Sequence, residues 1–288
     1  LGRTYRRLSR FADAKDQLDE ALPLARAAGD RSVEVQVLTG LGNLLIFREG
    51  REQAERYFQQ ALAVCATIDE PGIEATVHGN LSSLYFTQDR YDEAETSIFR
   101  ALDRVRRVGN RRTEAEILNG LGVLYDAQRR FDESAAQFER AISIHREVGN
   151  RYAEGLTLKN LGQHHLARGQ LDIAREQLSE AVAIYRETGY PRFGGLAYGS
   201  LGRVHAQQGE RDDALACWDE AEALLRTAEA HVELASLLAI RASHEVGWDR
   251  PEQARARLDE AQTIAAGLAR IPAHLEEDLA TGEAALTR

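Results

Sequence analysis

The chain has 288 residues, 46 acidic against 36 basic, and its net charge of −10 excludes non-specific attraction to nucleic acid. No stretch approaches the run of about 18 apolar residues that a membrane-spanning helix needs. No apolar run follows the basic segment Leu1 to Arg10, as it would in a secretory leader.

The first residues, Leu1-Gly2-Arg3-Thr4-Tyr5, set a pattern that returns at Leu41-Gly42, Leu81-Ser82, Leu121-Gly122, Leu161-Gly162 and Leu201-Gly202. An alanine keeps the same 40-residue step at Ala21, Ala61, Ala101, Ala141, Ala181, Ala221 and Ala261. A third series, Ala14, Ala54, Ala94, Ala174, Ala214 and Ala254, is broken only by Ser134. Self-similarity at a fixed period of this length predicts a stack of helical hairpins in which each unit covers its neighbour's apolar face. The units expected are 1–30, 31–70, 71–110, 111–150, 151–190, 191–230 and 231–270, with 271–288 as a closing helix. The opening unit matches the middle of a first helix, so the chain reads as a piece of a larger protein. Its basic groups are arginine apart from Lys15 and Lys159, and methionine is absent, a bias of GC-rich bacterial coding.

The turns come next. Gly29-Asp30, Gly109-Asn110, Gly149-Asn150 and Gly189-Tyr190 end one hairpin and begin another. Pro71 and Pro191 fall at first helical positions, where a missing N–H costs little. Glu34, Glu74, Glu114 and Glu154 stand in first turns, which favour a carboxylate, and Arg104, Arg106 and Arg107 in a last turn, which favours cations. The arginines therefore read as helix-end electrostatics rather than a phosphate site. In unit 111–150, Ile117, Leu118, Leu121, Leu124 and Tyr125 recur at helical spacing, followed by Phe131, Ala135, Phe138, Ala141, Ile142 and Ile144. A mid-helix glycine costs about 1 kcal/mol relative to alanine, so the repeated Gly122 slot implies a packing constraint that outweighs it.

Further along, Trp218 takes the slot of Phe58 and Phe138 and is expected in the core; Trp248 caps the core or contacts a partner. Unit 231–270 drifts, with Arg241-Ala242 in the Leu-Gly slot. Cys65 and Cys217 occupy apolar helical positions almost four repeats apart, so a disulfide is not expected and a reducing cytoplasm is.

Leu-Gly-x-x-Tyr, an aromatic, Asp-Glu-Ala and a further apolar-Ala pair resemble the tetratricopeptide repeat (TPR). Leu121, Gly122, Tyr125, Phe138 and Ala141 fall on its signature positions, as do Leu81, Tyr85, Tyr91, Ala94 and Ala101. The 40-residue step resembles the variant in kinesin light chain, cell-polarity adaptors, and bacterial signalling ATPases and transcriptional activators. Ser134, and Arg51 and Arg211 in an aromatic slot, depart from the pattern. The resemblance implies an all-α, right-handed superhelix of about seven hairpins plus the closing helix, with the first helix of each hairpin on a concave face.

If 41, 42 and 45 face the core, then 36, 40, 43 and 47 face the groove, with 39 flanking that stripe. Carried along the chain, these slots give Asn43, Asn80, Ser83, Glu116, Asn119, Asn160, Gln163, Ser200 and Arg203 as binding candidates, with Lys159 and Gln207 beside them. Carboxamides can donate to and accept from the backbone of an extended peptide, and intervening glycines such as Gly40 and Gly120 leave room for it. The alternative is that the slot is small or amide for helix packing.

A carboxylate clamp of the kind some TPR domains use is rejected: Thr39, Asn43, Asn80, Glu116 and Gly120 fill its slots without a cation. His164 and His165 point about 100° apart on a helix and do not converge with His205 on one ion. His165 and His205 stand in the Tyr85 and Tyr125 slot and read as packing rings. No phosphate-binding glycine loop, CxxC or HExxH occurs. No catalytic, cofactor or metal site is therefore expected. The function expected is a non-catalytic scaffold holding a protein or peptide segment, or another domain of the same parent chain. The alternative is a sensing arm of a signalling ATPase, kinase, cyclase or transcriptional regulator. Nucleic acid and membrane are not expected partners, and nothing in the sequence fixes an oligomeric state.

Overall fold

A computed structural model describes residues 2–46, 50–268 and 271–287, with side chains from residue 13 onward. Leu1, the side chains of Arg3 and Tyr5, and groove position 47 lie outside the described residues. The chain divides into two compact units, residues 1–149 and 150–288.

Among the described residues, the first unit holds α1 (Gly2–Ala28), α2 (Arg31–Leu45), α3 (Arg51–Cys65), α4 (Pro71–Phe86), α5 (Tyr91–Arg107), α6 (Arg111–Ala127) and α7 (Phe131–Glu147). The second holds α8 (Arg151–Ala167), α9 (Leu171–Thr188), α10 (Pro191–Gln208), α11 (Arg211–Thr227), α12 (His231–Val246), α13 (Pro251–Ala266) and α14 (Ala273–Leu286). The fold is all-α. Successive pairs from α2–α3 to α12–α13 pack as hairpins, whereas α1 is one unbroken helix.

Asp30, Asn110 and Asn150 cap α2, α6 and α8 by accepting the backbone N–H of Val33, Thr113 and Ala153. The recurring mid-helix glycine has a specific cause. A Cβ on Gly42 would lie 2.6 Å from the Phe58 ring, on Gly122 2.6 Å from Phe138, and on Gly202 2.4 Å from the Trp218 indole. These glycines admit the largest buried side chain of the following helix. Gly162 meets Leu178 just as closely, at 2.6 Å, and where the slot carries Ser82 or Ala242 the corresponding residue is Ile98 or Leu258. Trp218 is fully buried and donates to Gly199 O at 3.2 Å; Trp248 stacks on it at 5.8 Å, with Arg211 over its outer face. Ser134 keeps its buried place by donating to Gly122 O at 2.9 Å.

Charge joins successive hairpins. Buried Glu34 accepts from Arg26 Nε at 2.7 Å and Arg31 at 2.8 Å, and Glu114 from Arg106 at 2.8 Å and Arg111 at 2.6 Å. These first-turn glutamates do more than complement a helix dipole. They tie the end of one hairpin to the start of the next. The drifted 231–270 hairpin uses charge in another way: Arg241 and Glu245, 3% and 0% exposed, pair at 3.0 Å, and Arg257 reaches Glu245 at 3.0 Å. Closing helix α14 buries Leu275 and lies against α12 and α13, where Gly282 comes up to Leu258 and the Ala239 carbonyl.

Candidate functional site

In the first unit, α4 and α6 line a groove of about 620 Å³. Thr76, Gly79, Asn80 and Ser83 come from α4, and Thr113, Glu116, Ile117, Gly120 and Val123 from α6; Ile98 of α5 also lines it. Its shape follows from the glycines. A Cβ on Gly79 or Gly120 would meet nothing within 4 Å, so both open onto empty space. Gly40 is different: its Cβ would press on Leu18 at 3.2 Å, so that glycine serves helix packing. Open space thus lies beside Gly120 and not beside Gly40.

The candidate residues separate by what their polar atoms already do. Asn80, Ser83 and Glu116 line this one groove. Asn43 lies exposed on α2, and Asn119 is half-buried on α6. Neither Asn43 nor Asn80 has a side-chain hydrogen bond with any described residue, and Glu116 has no cationic partner among them. Ser83 donates to the Gly79 carbonyl of its own helix at 3.2 Å. The carboxamides of Asn43 and Asn80 thus keep their hydrogen-bonding capacity.

In the second unit, Gln163 donates to Ser200 Oγ at 3.0 Å, and Ser200 donates to Leu196 O at 3.1 Å. Ser200 is buried, so this pair is a strut between α8 and α10 rather than a pair of ligand contacts. Asn160 is half-buried and engaged. Lys159 of α8 is partly exposed, yet the desolvation of its ammonium brings its pKa down to about 8. No described carboxylate pairs with Lys159, nor with Arg203 of α10. Burial, followed by the positive charge of Arg203, lowers the pKa of His244.

Sequence reasoning missed the apolar lining of the first-unit groove, Ile98, Ile117 and Val123. Ile117 and Val123 belong to a helix whose apolar face reads as core, and nothing in the periodicity marks where two such faces part. The expected packing role of His165 and His205 has a polar complement, since their Nδ1 atoms lie 2.7 Å from Gln170 and 2.6 Å from Glu210. His164 and His165 stand edge to face with ring centroids 5.0 Å apart and do not converge. Cys65 and Cys217 are free thiols, each raised to about 11 chiefly by burial.

Family models described as tetratricopeptide repeat match residues 1–67, 73–147 and 127–187, and a second such model matches residues 159–216. The chain belongs to the tetratricopeptide repeat family. No curated protein matches it. Among solved structures, this TPR chain is similar to BtubC (BKLC) from P. vanneervenii, at 19% identity over 78% of this chain and 92% of that one, with a TM-score of 0.66. It is also similar to aspartyl phosphate phosphatase F from Bacillus subtilis, at 14% identity over 93% and 73% of the two chains, with a TM-score of 0.69. A third is the Rap conjugation gene regulator of plasmid pLS20 in complex with the Phr* peptide, at 18% identity over 92% and 74%, with a TM-score of 0.61. At these identities the likeness is one of fold. Among the described residues, no helix is long and apolar enough to cross a membrane.

Proposed function

We propose that this TPR chain is a non-catalytic protein-interaction scaffold whose α4–α6 groove holds a peptide segment of another protein. One observation carries the reading: Asn80 and Glu116 enter a groove of about 620 Å³ with no partner of their own, beside two glycines that open onto empty space. The Asn80 carboxamide suits a ligand backbone, donating to a carbonyl and accepting from an N–H. Ile98, Ile117 and Val123 suit a small apolar side chain, and Glu116 suits a lysine or arginine two or three residues away. In the second unit, unpaired Lys159 and Arg203 give the α8 and α10 surfaces the opposite preference, for an acidic group.

The test selects peptides from a random library on the full chain and measures them against variants. Asn80→Ala should weaken a selected peptide about fivefold, the equivalent of one hydrogen bond of about 1 kcal/mol. Gly120→Leu, which fills the groove, should abolish binding while the protein stays folded. Selected peptides indifferent to both changes would discard the assignment.

The likeness to a regulator solved in complex with a peptide supports a second reading, a sensing arm whose ligand changes its shape. Small-angle scattering separates the two readings: a scaffold keeps its radius of gyration when the selected peptide binds, and a sensing arm does not.

A further inference from the structure

We propose that His205, Glu210 and Asp213, at the turn from α10 to α11, bind a divalent transition-metal ion of the zinc class. The argument rests on comparing one slot through the repeats and is independent of the groove. In the first unit, the turn from α4 to α5 places Arg90 over the Tyr85 ring, 4.2 Å from its centroid, and pairs it with Glu93. The turn from α6 to α7 repeats this: Arg130 lies 3.9 Å from the Tyr125 centroid and 2.6 Å from Glu133. A guanidinium sits between a ring and a carboxylate in both.

At the α10–α11 turn the same three slots hold an imidazole and two carboxylates. His205 replaces the tyrosine, Glu210 the arginine, and Asp213 the glutamate. The built-in cation is gone and the donors remain. His205 Nδ1 lies 2.6 Å from Glu210 Oε2, and the three donor atoms lie within 4.8 Å of one another. Gly209, at φ +81°, makes the tight turn that folds the last turn of α10 against the first turn of α11. Around a tetrahedral ion with bonds near 2.0–2.2 Å, ligand atoms stand roughly 3.3 Å apart. The His205–Glu210 pair, at 2.6 Å, therefore opens by under an ångström and no pair has to close by more than about 1.5 Å, within the reach of ordinary rotamer changes on side chains that are not fully buried. One imidazole with two carboxylates is a nitrogen–oxygen set that suits zinc, nickel or cobalt better than magnesium or calcium. A fourth position is left for water.

The competing account is a swapped ion pair. Arg175 fills the slot of Glu55 and approaches Glu210, but only to 3.8 Å, against 2.8 Å for Arg90 and Glu55, and it divides itself with Asp172. Arg175 leaves Asp213 without the guanidinium that Glu93 and Glu133 enjoy.

The experiment titrates the full chain, first stripped with a chelator, with zinc and nickel chlorides by calorimetry, and with cobalt by visible absorption. The expected result is one saturable ion per chain and a rise in Tm at saturation. His205→Ala and Asp213→Asn should each weaken binding at least tenfold, while His165→Ala leaves it unchanged. Arg175→Met, which removes the competing cation, should tighten it. Absence of saturable binding up to about 1 mM, or binding that survives His205→Ala, or weakening by Arg175→Met, overturns the proposal.

Discussion

Arg90, in the turn before α5, reaches back to Glu55 of the preceding hairpin at 2.8 Å, and Arg130 does the same to Glu95 forty residues on, also at 2.8 Å. Each carboxylate also accepts from the next tyrosine, Tyr85 at 2.9 Å and Tyr125 at 3.0 Å. One guanidinium thus lies against a ring of its own hairpin and a carboxylate of the hairpin before it. The device fixes the relation between neighbours where area burial alone, being non-directional, would not.

The Glu55 carboxyl is held below the usual range, first by the hydrogen bond from Arg90, against the cost of burial, with Tyr85 adding to it. A depressed carboxyl contributes stability above its unfolded pKa of 4.5 and loses it as pH falls through the folded value. Glu55→Gln should therefore cost about 1–2 kcal/mol at pH 7 and progressively less as pH falls below 4.5, read from urea denaturation at pH 7 and at a series of lower pH values. A loss that stays constant across the acid range would show that shape, not charge, is what Glu55 supplies.

Two glycines two residues apart should respond in opposite directions. Gly120→Ala meets open space and gains the helix propensity of alanine, about 1 kcal/mol of stability, as should Gly79→Ala. Gly122→Ala puts a Cβ 2.6 Å from the Phe138 ring and should cost roughly 1–3 kcal/mol. Thermal melts of the three variants decide this. Either of the first two should also weaken a groove peptide.

Residue periodicity made the hairpins legible, because packing between units repeats the same few contacts. The Leu-Gly pair announced a tight approach, though only coordinates show that its partner is the ring two-fifths of a repeat later. The groove was legible in part. Asn80, Ser83 and Glu116 fall together because their slots lie on one stripe, but Ser200 occupies an equivalent slot and is buried by its bond to Gln163. Identity at a slot does not fix exposure when the neighbouring helix brings a different side chain. The proposed metal-ligand set was not legible because His205 reads as a packing ring and Glu210 and Asp213 as ordinary helix-start carboxylates, and only the loss of the arginine relates them.

The buried charges of the 231–270 hairpin make a further contrast. Glu245 is fully buried in the slot that holds Tyr85 and Tyr125, and Arg241 fills that of Leu81 and Leu121. Glu245→Ala removes one partner each from Arg241, which keeps Asp219 at 2.6 Å, and from half-buried Arg257, which keeps Glu222 at 3.2 Å, and should cost about 1.5–3 kcal/mol. The double change Arg241→Leu with Glu245→Tyr restores the pattern of the other hairpins and should cost far less. Equal losses in urea midpoints for the two variants would mean that the network, not packing, holds this hairpin together.

Lys159 should be destabilising in the unliganded protein. Its folded pKa of about 8 lies below the ordinary 10.5, so between these values the unfolded chain holds more of the proton, and stability rises with pH across that window. Below it both states are protonated and the full desolvation cost remains. Lys159→Met should thus stabilise the protein by roughly 1–3 kcal/mol at pH 7, with the advantage fading above pH 10. An acidic group docked beside Lys159 would draw its pKa back up, so binding near pH 8.5 should take up protons. Calorimetry in buffers of different ionisation enthalpy measures that uptake, and Lys159→Met should abolish it. Uptake that persists in the variant would place the titrating group elsewhere.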